Sequence, residues 1–146
     1  RQNLPFLARS ESVLNSIVKG GYVLVDVADA KVTLIATGSE IEIAMNTQKA
    51  LAEKGIAARV VSMPSTNVFD RQAAAYKAEV LGTAPIAVIE AGMTDSWYKY
   101  IAQAGVKGTV LGMSTFGESA PAGALFKHFG LTTEKFTEAA LALVQK

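Results

Sequence analysis

Five short apolar runs, at residues 22–27, 32–37, 59–63, 86–90 and 109–113, constrain the fold of this chain more than any other feature. Each is rich in Val, Ile or Leu. Most are continuous rather than alternating, which marks strands buried on both faces, as in a parallel sheet covered by helices. The first two runs are separated only by residues 28–31. A connection that short permits a hairpin and forbids a crossover. Strand one is therefore expected to run antiparallel to strand two, at an edge of the sheet.

The later gaps are long enough for helices, and the sequence supplies them. Ser39-Glu40-Ile41-Glu42 reads as a capping box, with Ser39 accepting from the helix start and Glu42 reaching back. Ile41, Ala44, Met45, Gln48, Leu51 and Ala52 then recur at helical spacing, and Gly55 stands where the helix would end. A second helix is expected over residues 68–81, capped by Asn67 and stopped by Gly82. A third follows Asp95. Pro121 opens a fourth, which Gly130 closes. Thr132 or Thr133 caps the last, whose apolar face carries Phe136, Ala140, Leu143 and Val144. A helical turn is also expected around residues 12–18. The expected fold class is α/β: a three-layer, doubly wound, Rossmann-like domain on a five-stranded mixed sheet with its first strand antiparallel.

At 146 residues the chain has the size of one domain. Its net charge of +1 offers no electrostatic reason to expect nucleic acid or an anionic membrane as partner. The absence of cysteine removes disulfides, thiolate catalysis and Cys-based metal sites, and fits a reducing cytoplasm. No apolar run approaches the length that crosses a bilayer, and no signal peptide is visible. The chain opens on Arg1, so it has been processed or is a piece of a longer polypeptide. The polar lead-in of residues 1–19, read as a connecting arm from a preceding domain, favours the latter; residues 20–146 form the domain proper.

In folds of this class ligands sit beyond the carboxyl ends of the strands. Thr37-Gly38-Ser39-Glu40, Pro64-Ser65-Thr66, Glu90-Ala91-Gly92 and Ser114-Thr115-Phe116-Gly117-Glu118 occupy those positions. No Gly-x-Gly-x-x-Gly follows a strand, and no Gly-x-x-x-x-Gly-Lys-Ser/Thr occurs. Thr37-Gly38-Ser39 could offer backbone N–H groups to an anion, but a plain capping role for Ser39 is the better reading. Glu90 and Glu118 could pair for acid–base work, although a strand-end Glu90 bonded to a neighbouring loop is the better reading. His128, the only histidine, lacks companions for a metal site and suits a surface or capping role near a helix end. Asp95-Ser96-Trp97-Tyr98-Lys99-Tyr100 concentrates aromatics that could stack on a ligand or a base, but at a helix start in a chain that is not basic, packing against a partner domain or subunit is the better reading.

Taken in order, Arg1-Gln2-Asn3-Leu4-Pro5, Gly20-Gly21-Tyr22-Val23-Leu24, Ile35-Ala36-Thr37-Gly38-Ser39-Glu40, Arg59-Val60-Val61-Ser62-Met63-Pro64, Trp97-Tyr98-Lys99-Tyr100 and Phe116-Gly117-Glu118-Ser119-Ala120-Pro121 resemble the final domain of the transketolase family, in its bacterial form. The resemblance spans essentially the whole chain. It implies a homodimeric enzyme that uses thiamine diphosphate and a divalent metal, Mg2+, to move a two-carbon ketol unit between sugar phosphates in the pentose phosphate pathway. It also implies that diphosphate, metal and the activating glutamate belong to preceding domains. This fragment would then bind no cofactor and no metal, and would supply no catalytic residue, leaving it a structural or regulatory role. Arg1 matches the family arginine that helps bind the substrate phosphate, a task suited to a planar, permanently charged fork. A domain of the same kind ends other thiamine diphosphate enzymes, such as 2-oxo acid dehydrogenase components. A free-standing ligand-binding or interaction module is the reading from outside enzymes.

Overall fold

The computed structural model describes Leu4 and residues 10–145. Arg1, and with it the expected phosphate contact, lies outside the described residues. A short helix α1 (Glu11–Ile17) leads into β1 (Tyr22–Val25) and β2 (Val32–Ala36). Then come α2 (Glu40–Ala52), β3 (Ala58–Ser62), α3 (Thr66–Asp70), α4 (Ala74–Leu81) and β4 (Ile86–Met93). A 3-10 turn (Asp95–Trp97), α5 (Tyr98–Ala104), β5 (Gly108–Met113), α6 (Ala122–His128) and α7 (Thr133–Val144) complete the order.

The five strands form one sheet in the order β1-β3-β2-β4-β5. β3, β2, β4 and β5 are mutually parallel, and β1 runs antiparallel at one edge. The expected fold class and the orientation of strand one both hold. The pairing partner differs: β1 lies against β3, not β2, with Tyr22 opposite Ser62 and Val23 opposite Val61. The connection from Val25 to Val32 does not close a hairpin. It spans two inter-strand spacings, roughly 10 Å, which six extended residues cover easily. Arg59 on β3 holds this connection in place. Its Nε and Nη2 both reach Asp26 Oδ1 at 2.9 Å, and Nη1 donates to the Glu79 carbonyl at 2.9 Å.

Alternate residues of the central strands enter two cores, as a doubly covered sheet requires. Leu34, Ala36, Val60, Ala87 and Ile89 pack against Ala44 and Leu51 of α2 and Phe136 and Ala140 of α7. Ile35, Val61, Ile86 and Val88 pack on the other face against Phe69, Val80, Leu81, Tyr100 and Ile101. Thr132 caps α7, its hydroxyl accepting from the Lys135 N–H at 3.3 Å. Pro121 stands immediately before α6.

The single helix expected over 68–81 is two. α3 begins earlier, capped by Ser65, whose Oγ accepts from the Val68 N–H. Asn67 therefore lies inside the helix and does not cap it. The chain breaks between Asp70 and Ala74, and Asp70 is held there by Lys99 Nζ at 2.6 Å and Tyr100 Oη at 2.9 Å. Burial works against ionisation of Asp70, but these two donors outweigh it and lower its pKa. Tyr100 is fully buried and Trp97 is 4% exposed. Their rings stand 5.8 Å apart, with Phe69 5.7 Å from Tyr100. Two of the string's three rings are thus core elements beside the break between α3 and α4, and of the rings only Tyr98 faces outward.

Candidate functional site

The strand order reverses between β2 and β4, so the crevice expected in a doubly wound sheet falls beyond Ala36 and Ile89. A cavity of about 430 Å³ opens there, lined by Thr37, Ser65, Thr66, Glu90 and Ser96, with Met63, Met93 and Trp97 supplying apolar wall. Of the strand-end residues singled out from sequence, Thr37, Pro64, Ser65, Thr66, Glu90 and Gly92 come together here. Ser96 and Trp97, singled out from sequence only within the aromatic string, join this lining because the 3-10 turn carries them there. Residues 114–118 do not line this cavity. They belong to an exposed loop, and Glu118 is solvent-facing.

The structure places Glu40, not Glu118, as the carboxylate neighbour of Glu90. Glu90 is half-buried, and its pKa is raised first by burial and then by the charge of Glu40. Glu40 itself is only 4% exposed. Its Oε1 accepts from the Ser39 hydroxyl at 2.9 Å. That bond replaces the expected capping box. Gly38 has φ +54°, which turns the chain one residue early. Ser39 is then already helical and makes no side-chain cap. The first N–H groups of α2 are met by the turn itself: Glu40, Ile41 and Glu42 donate to the carbonyls of Thr37, Gly38 and Ser39 at 3.1, 3.4 and 3.3 Å. With its donors used and two glutamates in its first turn, this helix start repels an anion, since its positive end is already neutralised. The anion reading of Thr37-Gly38-Ser39 is set aside on that geometry.

A second cleft, of about 640 Å³, runs between the lead-in and α2. It has Leu4, Ile17, Leu24, Ile41 and Met45 as its apolar floor and Ser39, Glu42 and Lys49 among its polar walls. A third hollow, at the amino ends of the strands, is closed across by the Arg59–Asp26 pair. His128 is exposed as the last residue of α6, edge-on to Phe129 at 4.9 Å. Among the described residues no three His, Asp or Glu side chains come together to hold a metal ion. No helix among them is long and apolar enough to cross a membrane. The strand-end crevice can hydrogen-bond a small polar molecule through hydroxyls and one carboxyl, but its lining offers no cation and no thiol.

The model of the transketolase-like C-terminal domain matches residues 20–132. The chain is 51% identical to transketolase 1 of Vibrio cholerae over 150 residues, covering 99% of this chain and 22% of that protein. It is 48% identical to transketolase 1 of Escherichia coli, with 99% and 22% covered. Among solved structures, a transketolase of Pichia stipitis in complex with sedoheptulose 7-phosphate superposes with a TM-score of 0.84 at 38% identity, covering 98% of this chain and 20% of that one. The chain spans about one fifth of the length of the curated relatives it matches. Sequence identity, domain model and superposition agree, and the chain belongs to the transketolase family, as a C-terminal domain of that family.

Proposed function

We propose that this chain is part of a longer transketolase that moves a two-carbon ketol unit from a ketose phosphate to an aldose phosphate in the pentose phosphate pathway. The observation that carries the proposal is 51% identity to a transketolase across 99% of the chain. The sedoheptulose 7-phosphate bound to the Pichia stipitis relative supports sugar phosphates as the substrate class. In this reading the enzyme is a cytoplasmic homodimer. Residues 1–19 are the arm from a preceding domain and residues 20–146 the domain proper. Arg1 lends its guanidinium to the substrate phosphate.

Thiamine diphosphate and Mg2+ are assigned to the preceding domains, and the donors here do not fit them. The described residues bring no three metal-ligating side chains together, and the start of α2 presents two glutamates where a diphosphate would need free N–H groups. The domain's own part is structural or regulatory. The test is an assay of the longer protein with a ketose phosphate donor, an aldose phosphate acceptor, thiamine diphosphate and Mg2+. Absence of two-carbon transfer sinks the assignment. Calorimetric titration of the 146-residue chain with the cofactor and Mg2+ should give no heat, and tight binding there would overturn the division of labour.

A further inference from the structure

The parallel register of β2 and β4 sets Ala36 beside Ile89, so Thr37 and Glu90 leave the sheet as neighbours. Both line the 430 Å³ crevice, and the hydroxyls of Ser65 and Ser96 join them from the two flanking turns. Ser65 Oγ accepts from the Val68 N–H, which leaves its own proton to donate. The surroundings act on the Glu90 carboxyl through burial and the charge of Glu40, not through a hydrogen bond. A half-buried carboxyl, three hydroxyls and the apolar wall of Met63 and Trp97 therefore share one concave space. A few polar groups on an apolar wall, in a volume at the small end of ligand pockets, is the form a small-molecule site takes.

Charge selects the ligand. Glu40 is only 4% exposed, and two carboxylates this close to each other favour a positive charge between or beside them. The chain supplies none: the lining holds no Lys, Arg or His, and Lys99, the one cation of α5, is bound to Asp70 at 2.6 Å. A bare Mg2+ or Ca2+ takes six or more oxygens, and among the described residues no three His, Asp or Glu side chains come together. A primary ammonium asks for less. Its three donors are met by one carboxylate and hydroxyl oxygens.

We propose that the strand-end crevice binds a small amino alcohol, a primary ammonium on a hydroxylated carbon skeleton. Glu90 takes the ammonium, Thr37, Ser65 and Ser96 bond its hydroxyl groups, and Met63 and Trp97 cover its carbons. The same two glutamates repel a phosphate, so this ligand is of a different class from a sugar phosphate. The site uses residues of this chain alone and stands apart from the proposed transfer reaction.

Serinol (2-amino-1,3-propanediol) and glycerol test it, since they differ only by an ammonium in place of the central hydroxyl. Titrated at neutral pH into the isotopically labelled 146-residue chain, serinol should shift the amide NMR signals of Thr37, Glu90 and Ser96. It should bind about tenfold to a hundredfold more tightly than glycerol, the factor that one charge-assisted hydrogen bond supplies. Glu90→Gln keeps the shape and removes the charge, and should bring the preference close to unity. Equal affinity for the two probes, shifts confined to residues outside the crevice, or a preference that survives Glu90→Gln overturns the proposal. Equilibrium dialysis of both probes against the longer protein should give the same preference, and its loss there overturns the crevice as a site of the enzyme. Two-carbon transfer is scored separately: transfer without serinol binding rejects this site and keeps the proposed function, and binding without transfer does the reverse.

Discussion

Gly20→Ala is expected to destabilise the domain severely, although the change adds only one methyl group, at the buried entry to the sheet. Gly20 has φ +84°, a region that costs a residue with a Cβ about 1–2 kcal/mol. An added Cβ would lie 2.5 Å from both the Phe69 N and the Ser65 O, and 2.8 Å from Val68 Cβ. Two of these three atoms are backbone, so no side-chain rotation relieves them, and overpacking of this kind costs about 1–3 kcal/mol. The reduced freedom of the unfolded chain returns about 0.4–1 kcal/mol. The net loss is about 1–4.5 kcal/mol. Gly55→Ala separates the two causes. Gly55 has φ +74°, and a Cβ there would meet nothing within 4 Å. It suffers the backbone penalty alone, about 1 kcal/mol or less after the same offset. Urea unfolding of the two variants and the parent, with the slope against urea unchanged, gives both losses from midpoints. Equal losses would refute the reasoning, because the close approach of Gly20 to α3 would then carry no steric cost.

Three further outcomes follow from named groups. In the longer enzyme, Arg1→Ala should raise KM for phosphorylated substrates with less change in kcat. The loss in kcat/KM should be about tenfold or more, since one or more charge-assisted contacts made equally in ground and transition states are removed. Arg1→Lys should recover only part, and equal losses on unphosphorylated substrates would withdraw the assignment. Tyr100→Phe should cost about 1 kcal/mol in urea unfolding and raise the Asp70 pKa in an NMR titration. Because the folded pKa of Asp70 is lowered, its contribution is present above the ordinary carboxylate value and lost as pH falls through the folded one, and the variant should show less of that acid-side loss. Glu90 has a raised folded pKa, so its sign is opposite. Its contribution is full below the ordinary carboxylate value and is lost as pH rises through the folded one; Glu90→Gln should remove that segment of the stability–pH curve, and an unchanged curve would reject the burial account.

The layers of this domain were legible in the sequence because burial on both faces of a sheet demands continuous apolar runs, and amphipathic helices demand a 3.6-residue period. The antiparallel course of β1 was legible too, since residues 28–31 are too few for a crossover. What β1 pairs with was not. Strand identity is local, but pairing depends on which edge of β2 remains open, and β3 takes it. Ser39 looked like a cap by composition; whether it is one depends on the backbone angle of Gly38 before it. The break between α3 and α4 lies in a stretch whose local pattern reads as one helix, and it is held by Lys99 and Tyr100 from about thirty residues away. The neighbour of Glu90 was decided the same way. Glu118 lies past the end of the sheet in an exposed loop, while Glu40 is brought close by the parallel register of β2 and β4, which aligns Ala36 with Ile89 and sets their two following turns side by side. The sequence determined which segments become strands and helices, because those preferences act over a few residues. Only the tertiary structure decided partners, caps and the carboxylate pair, because each depends on where a distant backbone comes to rest.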